Sequence, residues 1–217
     1  MDLTRPLRSL VPSLDSAVLE VLAGTTRPLS GHQVAQLTRT GSVSGVRLVL
    51  RRLVEHGLAT RDDRGRSSYF AANREHLAWP AIEDLLHLTV RLEQRIIETV
   101  EAWSIQPESL SIFGSLARHE AGPASDIDLL IIQPENTTDS AEWDTQLEGL
   151  ATAVENWTGN RVQFTTLTFD GLAVRVRYTE PIIEAWLAEA NTLVGTDIRA
   201  LISRSTVGNA GSNGELH

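Results

Sequence analysis

The residues with the clearest capacity for chemistry are a Gly-Ser pair and two aspartates, all within "SIFGSLARHEAGPASDIDLLII". Gly114 and Ser115 follow a short apolar run, and Asp126 and Asp128 open another. Glycine lets backbone N–H groups approach a ligand closely, and a helix N-terminus favours phosphate. Two carboxylates on one face of a strand, roughly 7 Å apart, can hold one or two hard cations such as Mg²⁺. The pattern predicts a turn that cradles a triphosphate and aspartates that hold the bridging metal.

Two strands must position these groups. "SLSIF" alternates apolar and polar residues before Gly114, and "DIDLLII" carries the aspartates. Because side chains alternate along a strand, the second segment has one face formed by Asp126, Asp128, Leu130 and Ile132, and another formed by Ile127, Leu129 and Ile131. The aspartates are therefore predicted to lie on one face, at the start of a buried strand.

The segments downstream predict further elements of the same domain. The apolar positions of "SAEWDTQLEGLATAVENW" form one helical face, and "NRVQFTTLT" is typical of a strand. "EPIIEAWLAEANTLVG" predicts a closing helix and a short last strand.

"GSLARHEAGPASDIDLLII" resembles, without insertion or deletion, the G-S-x-A-R-G-E-x-x-x-x-S-D-I-D-L signature of the minimal nucleotidyltransferases in the DNA polymerase β superfamily. The resemblance extends over about residues 105–196. It implies an α+β fold with a mixed sheet. It also implies Asp126 and Asp128 as catalytic residues and Mg²⁺ ligands, and an NTP bound by Gly114, Ser115, Arg118 and Ser125.

The sequence departs from this family at two positions. His119 replaces the usual Gly of the signature. Active members carry a third carboxylate on the strand after the long helix, where "RVQFTTL" stands against the family's "KVDLVTL", so that Gln163 takes the place of the acid. A neutral amide is a poor general base and a poor ligand for a second Mg²⁺. Asp170, seven residues later, is not expected to replace the missing acid.

The N-terminal part differs in charge from the rest. Residues 1–78 contain eleven basic and seven acidic residues, a net charge of +4, whereas the remainder carries −13. Three short helices are predicted there, followed by two strands joined at a charged turn. "SVSGVRLVLRRLVEHGLATRDDRGRSSYFAA" resembles the recognition helix and wing of bacterial MarR- and ArsR-like regulators. The resemblance implies a winged helix-turn-helix that binds double-stranded DNA through Ser42, Ser44, Arg47, Arg51, Arg64 and Arg66. A winged helix used only for protein contacts is the alternative.

Between these parts, apolar residues spaced by 3.6 on average predict one long helix from Leu77 to Trp103. The expected organisation is therefore a winged helix domain at 1–76, a connector helix at 77–104, a nucleotidyltransferase-like domain at 105–204 and a disordered tail at 205–217. The connector helix could instead mediate a homodimer.

Composition favours an unexported protein of the cytoplasm. The chain has no cysteine and hence no disulfide framework or thiolate metal site. Its start lacks the apolar core of a signal peptide, and no run reaches the roughly 18 apolar residues of a membrane span.

Three functions fit these observations. The chain could be a DNA-binding regulator-like protein whose nucleotidyltransferase domain binds Mg–NTP and transfers NMP to a hydroxyl acceptor, such as a protein modification target. It could be a transcription regulator whose disarmed domain only senses the nucleotide. It could also be an antitoxin-like partner of a small helical toxin.

Overall fold

The computed structural model describes residues 1–137 and 140–211 and divides into two compact units. The N-terminal unit is formed by Arg5–Thr89. The C-terminal unit comprises Met1–Thr4 together with the described residues from Val90 onward.

The N-terminal unit contains five helices and a three-stranded antiparallel sheet with the order β1-β3-β2. Its elements are α1 (Pro6–Leu10), α2 (Leu14–Ala23), β1 (Leu29–Ser30), α3 (Gly31–Thr38), α4 (Val43–Glu55), β2 (Ala59–Arg64), β3 (Ser67–Ala72) and α5 (Trp79–Leu86). The three predicted helices and the hairpin are therefore present.

Local sequence explains where these helices begin. The side chains of Ser13 and Ser42 accept backbone N–H groups at the starts of α2 and α4, and Ser30 and Gln33 form a reciprocal capping box at α3. Helices α2, α3 and α4 then bury their apolar faces in one core that includes Val18, Val34 and Leu50.

The structure corrects the prediction of one helix from Leu77 to Trp103. The segment forms α5 and a separate helix α6 (Leu88–Glu101), interrupted at His87, whose N–H donates back to the Glu83 and Asp84 carbonyls. The apolar residues of α5, including Trp79, pack in the N-terminal core, whereas those of α6, including Ile96, pack in the C-terminal core. A one-residue break hardly disturbs the average apolar spacing, so the sequence pattern did not reveal it.

The C-terminal unit is built on a mixed four-stranded sheet of order β6-β5-β4-β7. Its elements after α6 are β4 (Ser109–Phe113), α7 (Gly114–Ala117), β5 (Ile127–Ile132), α8 (Ala141–Thr158), β6 (Val162–Leu167), α9 (Phe169–Arg177), α10 (Pro181–Glu189), β7 (Asn191–Gly195) and α11 (Ile198–Gly211). Strands β5 and β6 are parallel, and β4 is antiparallel to both β5 and β7. The predicted mixed sheet is confirmed.

The alternation predicted for β5 is visible in its packing. Ile127, Leu129 and Ile131 enter one core, together with apolar residues of α6 and α8. Leu130 and Ile132 enter a second core, together with residues of α9, α10 and α11. The sheet is thus covered on both faces, and Asp128 shares its face with the second core.

The last helix of the C-terminal unit extends further along the chain than predicted. Helix α11 runs through Gly211, so residues 205–211 are helical rather than part of a disordered tail. The remainder of the predicted tail, residues 212–217, lies outside the described residues. Among the residues that the structure describes, no helix has both the length and the apolar character that spanning a bilayer requires.

Candidate functional site

Gly114 lies where β4 ends, and its backbone requires glycine. Its φ is +73°, and an added Cβ would overlap the Asp128 Oδ2 atom and lie 3.1 Å from the Asp128 Cγ atom. Strands β4 and β5 are antiparallel neighbours with Phe113 opposite Asp128, which explains the proximity. The structure therefore brings the Gly-Ser turn against the Asp-x-Asp motif.

The two aspartates differ in their surroundings. Asp126 is exposed and precedes β5, whereas Asp128 is partly buried within it. Burial raises the pKa of Asp128, the negative charges of Asp126 and Glu189 raise it further, and the Arg118 guanidinium opposes them. Desolvated like charges are costly, and a bound cation would relieve this repulsion.

Arg118 and Glu189 complete the surroundings of the turn. Arg118 Nη1 donates to Glu189 Oε2 at 2.6 Å, and Arg118 Nε donates to Glu120 Oε2 at 2.9 Å. Glu189 Oε1 accepts the Gly114 N–H at 3.2 Å. The Glu189 and Glu120 carboxylates raise the pKa of Arg118, Glu189 more than Glu120. One carboxylate thus bridges two groups that the sequence assigned to a nucleotide.

Sequence reasoning missed Glu189. It is the last residue of α10 and lies 75 positions after Gly114. The side chain is only 13% exposed, because the end of α10 approaches the sheet beside the turn. No local motif marks a residue that reaches the site only through the packing of a distant helix.

Ser125 shapes the loop before Asp126. Its hydroxyl oxygen accepts the Gly122 N–H at 2.8 Å, and its carbonyl accepts from Asn160 Nδ2 at 2.9 Å. The contacts hold the chain where it enters β5. They give Ser125 a role in loop geometry, while nucleotide contact by Ser125 stays a prediction.

Gln163 lies where the resemblance places it. It is the direct partner of Asp128 in the parallel pairing of β5 and β6, so the two side chains share a face of the sheet, and it is exposed. Asp170 follows the far end of β6, beyond Leu167. Four residues of strand from Gln163 to Leu167 span roughly 13 Å. Asp170 is therefore remote from the aspartates.

The carboxylates beside the turn do not form a complete set of metal ligands by themselves. Within residues 1–137 and 140–211, no group of three or more His, Asp or Glu side chains is placed to bind a metal ion. Asp126 and Asp128 nevertheless fit a cation that completes its coordination with phosphate oxygens and water, as Mg²⁺ commonly does. The site thus suits a metal that arrives with a nucleotide.

A second candidate surface lies in the N-terminal unit. An open cleft of about 620 Å³ is formed between α4, the hairpin and the start of α3. Arg47, Arg51 and Arg66, predicted to contact DNA, line it, and Arg61 and His32 do so without having been predicted. Such a concentration of guanidinium groups suits a polyanion.

The other predicted DNA contacts are partly engaged within the unit. Ser42 caps α4 by accepting the Gly45 N–H, and its hydroxyl bonds that of Ser44. Arg64 pairs with Asp62 at 2.7 Å and lies over the Tyr69 ring. The tip of the hairpin is therefore less basic than its arginines alone suggest.

Arg61 is also paired with an acidic residue of the hairpin. Its Nε donates to Asp63 Oδ1 at 2.9 Å. The pKa of Asp63 is lowered, first by the hydroxyl of Ser68 and then by Arg61. Acidic neighbours on the same strand, β2, therefore offset part of the positive charge of Arg61 and Arg64.

Comparison with known proteins identifies part of the chain. Residues 93–194 match the family model described as "Nucleotidyltransferase domain". No curated protein matches. The chain therefore carries a nucleotidyltransferase domain, and this domain contains the turn, both aspartates and Glu189.

Three solved structures resemble parts of the chain. A toxin–antitoxin crystallised with AMP-PNP has 17% identity, a TM-score of 0.38 and coverage of 57% of this chain and 90% of its own. A mutant of the toxin–antitoxin MntA-HpeT has 15% identity, a TM-score of 0.37 and the same coverage. Human N-acetylserotonin methyltransferase with SAM has 20% identity, a TM-score of 0.28 and coverage of 43% and 31%. At these TM-scores, the likenesses carry no inference about this chain.

Proposed function

We propose that this protein is a DNA-binding regulator whose nucleotidyltransferase domain binds a nucleoside triphosphate with Mg²⁺ and transfers NMP to a hydroxyl acceptor. The observation that carries the proposal is the close approach of Gly114 to Asp128 within the matched domain. The phosphate-binding turn and the carboxylates are then close enough to share one metal–triphosphate group.

Each residue of the site would have a distinct role in nucleotidyl transfer. Asp126 and Asp128 hold the metal, which, when bound, neutralises charge on the transferring phosphate. Arg118, Ser115 and the turn hold the phosphate oxygens, and Ser125 keeps the entry to β5 in place. These groups orient the α-phosphate toward the acceptor, and positioning and charge stabilisation are the main sources of rate in phosphoryl transfer.

A second function is favoured by Gln163. Because this neutral amide lies beside Asp128, the domain has two carboxylates where a two-metal mechanism uses three. Loss of one metal ligand harms transfer more than nucleotide binding. The chain would then act as a nucleotide-sensing regulator without turnover.

The N-terminal unit is proposed to be a winged helix-turn-helix domain that binds double-stranded DNA. Helix α4, with exposed Ser44, Arg47 and Arg51, would enter the major groove, and Arg66 with the hairpin would contact the backbone. The basic cleft supports this proposal, since phosphate contacts supply most non-specific affinity.

Label transfer separates the two functions of the nucleotidyltransferase domain. The protein is incubated with each α-labelled NTP, with Mg²⁺ or Mn²⁺, and with cell extract as the acceptor pool. Wild type is compared with Asp128→Asn and Gln163→Asp. Transfer by wild type that Asp128→Asn abolishes indicates an enzyme. If wild type transfers no label but Gln163→Asp does, the wild-type domain is a nucleotide sensor that has lost transferase activity. If neither protein transfers label and neither binds NTP, both proposed functions are contradicted.

DNA binding is tested independently. Wild type should retard genomic DNA fragments at low salt, with affinity falling steeply as salt rises. Failure to retard any fragment at low salt would remove the DNA-binding part while leaving the nucleotide site intact.

A further inference from the structure

The Glu189 carboxylate lies on groups that an incoming triphosphate would use. Its Oε1 accepts the Gly114 N–H at 3.2 Å and its Oε2 accepts from Arg118 at 2.6 Å. The Gly114 N–H and this Nη1–H of Arg118 are available to a phosphate oxygen only if the Glu189 carboxylate is displaced or shares them. The side chain is 13% exposed, so it is an ordered part of the site rather than a solvated surface acid.

The charge around this carboxylate is unusual for a phosphate site. Asp128 lies against Gly114, and both Asp126 and Glu189 are close enough to act electrostatically on Asp128. A bare triphosphate carries about four negative charges and would meet three carboxylates. Once Mg²⁺ is bound, about two of those charges are neutralised, and the aspartates can bind the metal of the complex.

We infer that Glu189 is a specificity-determining residue that makes the domain select metal-loaded over metal-free triphosphate. This inference rests on the proposed Mg–NTP site. Glu189 occupies the Gly114 N–H and an Nη1–H of Arg118, and the attraction between metal and aspartates compensates for its displacement. A metal-free triphosphate has no such compensation and is rejected.

The test uses inorganic tripolyphosphate, because it contains the recognised chemistry without a base. Its Kd is measured by calorimetry on the full chain, once with Mg²⁺ and once with EDTA. In Glu189→Gln, the affinity for metal-free tripolyphosphate should rise at least about tenfold, which corresponds to the free energy of one or two charged hydrogen bonds. The affinity for Mg-loaded tripolyphosphate should rise less. The ratio of the metal-free Kd to the Mg-loaded Kd should therefore fall.

Two control variants isolate the contribution of Glu189. Glu120→Gln removes an exposed carboxylate from the same guanidinium without touching Gly114, and Glu184→Gln removes an exposed charge from the same helix α10. Both should leave the ratio within about twofold of wild type, as expected for exposed charges. If Glu189→Gln does not fold, Glu189→Asp keeps the charge but shortens its reach, and should also lower the ratio.

The outcomes are distinct. Unchanged or weaker metal-free binding in the folded Glu189 variant would overturn the inference, as would an equal gain with and without Mg²⁺. An equal fall of the ratio in Glu120→Gln would overturn it as well. Wild type that fails to bind both Mg-loaded tripolyphosphate and Mg–NTP would instead contradict the proposed function.

Discussion

Replacing Gly114 by alanine tests the geometry on which the proposed nucleotide site depends. The added Cβ would overlap the Asp128 Oδ2 atom and lie 3.1 Å from its Cγ, in a backbone with φ of +73°. The substitution therefore combines two costs, a strained backbone and a displaced carboxylate. Gly159 offers a matched control in the same unit, since its φ is +72° and nothing lies within 4 Å of an added Cβ.

The two costs can be estimated separately. A non-glycine residue in the left-handed region costs about 1–2 kcal/mol, partly offset by the lower entropy of the unfolded chain. Gly159→Ala should therefore lose about 1 kcal/mol of folding free energy. Gly114→Ala must in addition move the Asp128 carboxylate by about 1 Å, which adds about 1–2 kcal/mol as for other overpacked positions. The expected total is about 2–3 kcal/mol.

Denaturant unfolding followed by tryptophan fluorescence measures both variants. Trp103, Trp143, Trp157 and Trp186 belong to the C-terminal unit and Trp79 to the other, so the signal reports mainly on the mutated unit. A double-mutant cycle that combines Gly114→Ala with Asp128→Ala then measures the interaction free energy between the added methyl group and the Asp128 side chain. Removing the carboxylate should return Gly114→Ala to the cost of Gly159→Ala, a coupling of about 1–2 kcal/mol.

Equal costs for Gly114→Ala and Gly159→Ala, with no coupling to Asp128, would show that the turn does not contact the aspartate. The proposed metal–triphosphate site would then lose its structural basis.

Three further predictions follow from individual residues. His119 has φ of +57° where the resembling signature has glycine, so His119→Gly should raise the free energy of unfolding by about 1 kcal/mol in the same assay; a loss would contradict it. Burial raises the pKa of Glu93, against the opposing charge of His119, so its ionised form opposes folding. Glu93→Gln should therefore raise Tm at pH 7, and this gain in Tm should disappear below the ordinary glutamate pKa of 4.5. As a control, Glu101→Gln, at an exposed position of the same helix, should show no such gain. A gain in Tm that does not depend on pH would contradict the charge effect. Replacing Arg47 and Arg51 by alanine should weaken DNA retardation and reduce the salt slope by about 2, one for each lost phosphate contact; an unchanged slope would exclude these contacts.

The elements that carry the aspartates could be predicted because their signals are local. The alternation of "DIDLLII" fixes which residues face each core, and the packing of Leu129 and Leu130 into different cores confirms it. The caps at Ser13 and Ser42 have equally local causes, since each hydroxyl bonds a backbone N–H two or three residues on. The turn at Gly114 was predictable for the same reason.

What the sequence did not reveal depends on contacts between distant segments. The break at His87 follows from two cores that each take one part of an amphipathic segment. Helix α9 was not predicted, and Glu189 reaches Gly114 only because α10 packs beside the turn. The acidic partners of Arg61 and Arg64 lie two residues away, yet their pairing required knowledge of the strand geometry.

Nucleotide binding at Asp126 and Asp128 is best tested by calorimetric titration of the full chain with each of the four Mg–NTPs, comparing wild type with Asp128→Asn. We expect saturable binding of at least one Mg–NTP by wild type, and loss of that binding in an Asp128→Asn variant that keeps the wild-type unfolding curve. Equal affinity in the two proteins would contradict the assignment of Asp128 to the metal site, and absence of binding by wild type would contradict the nucleotide site as a whole.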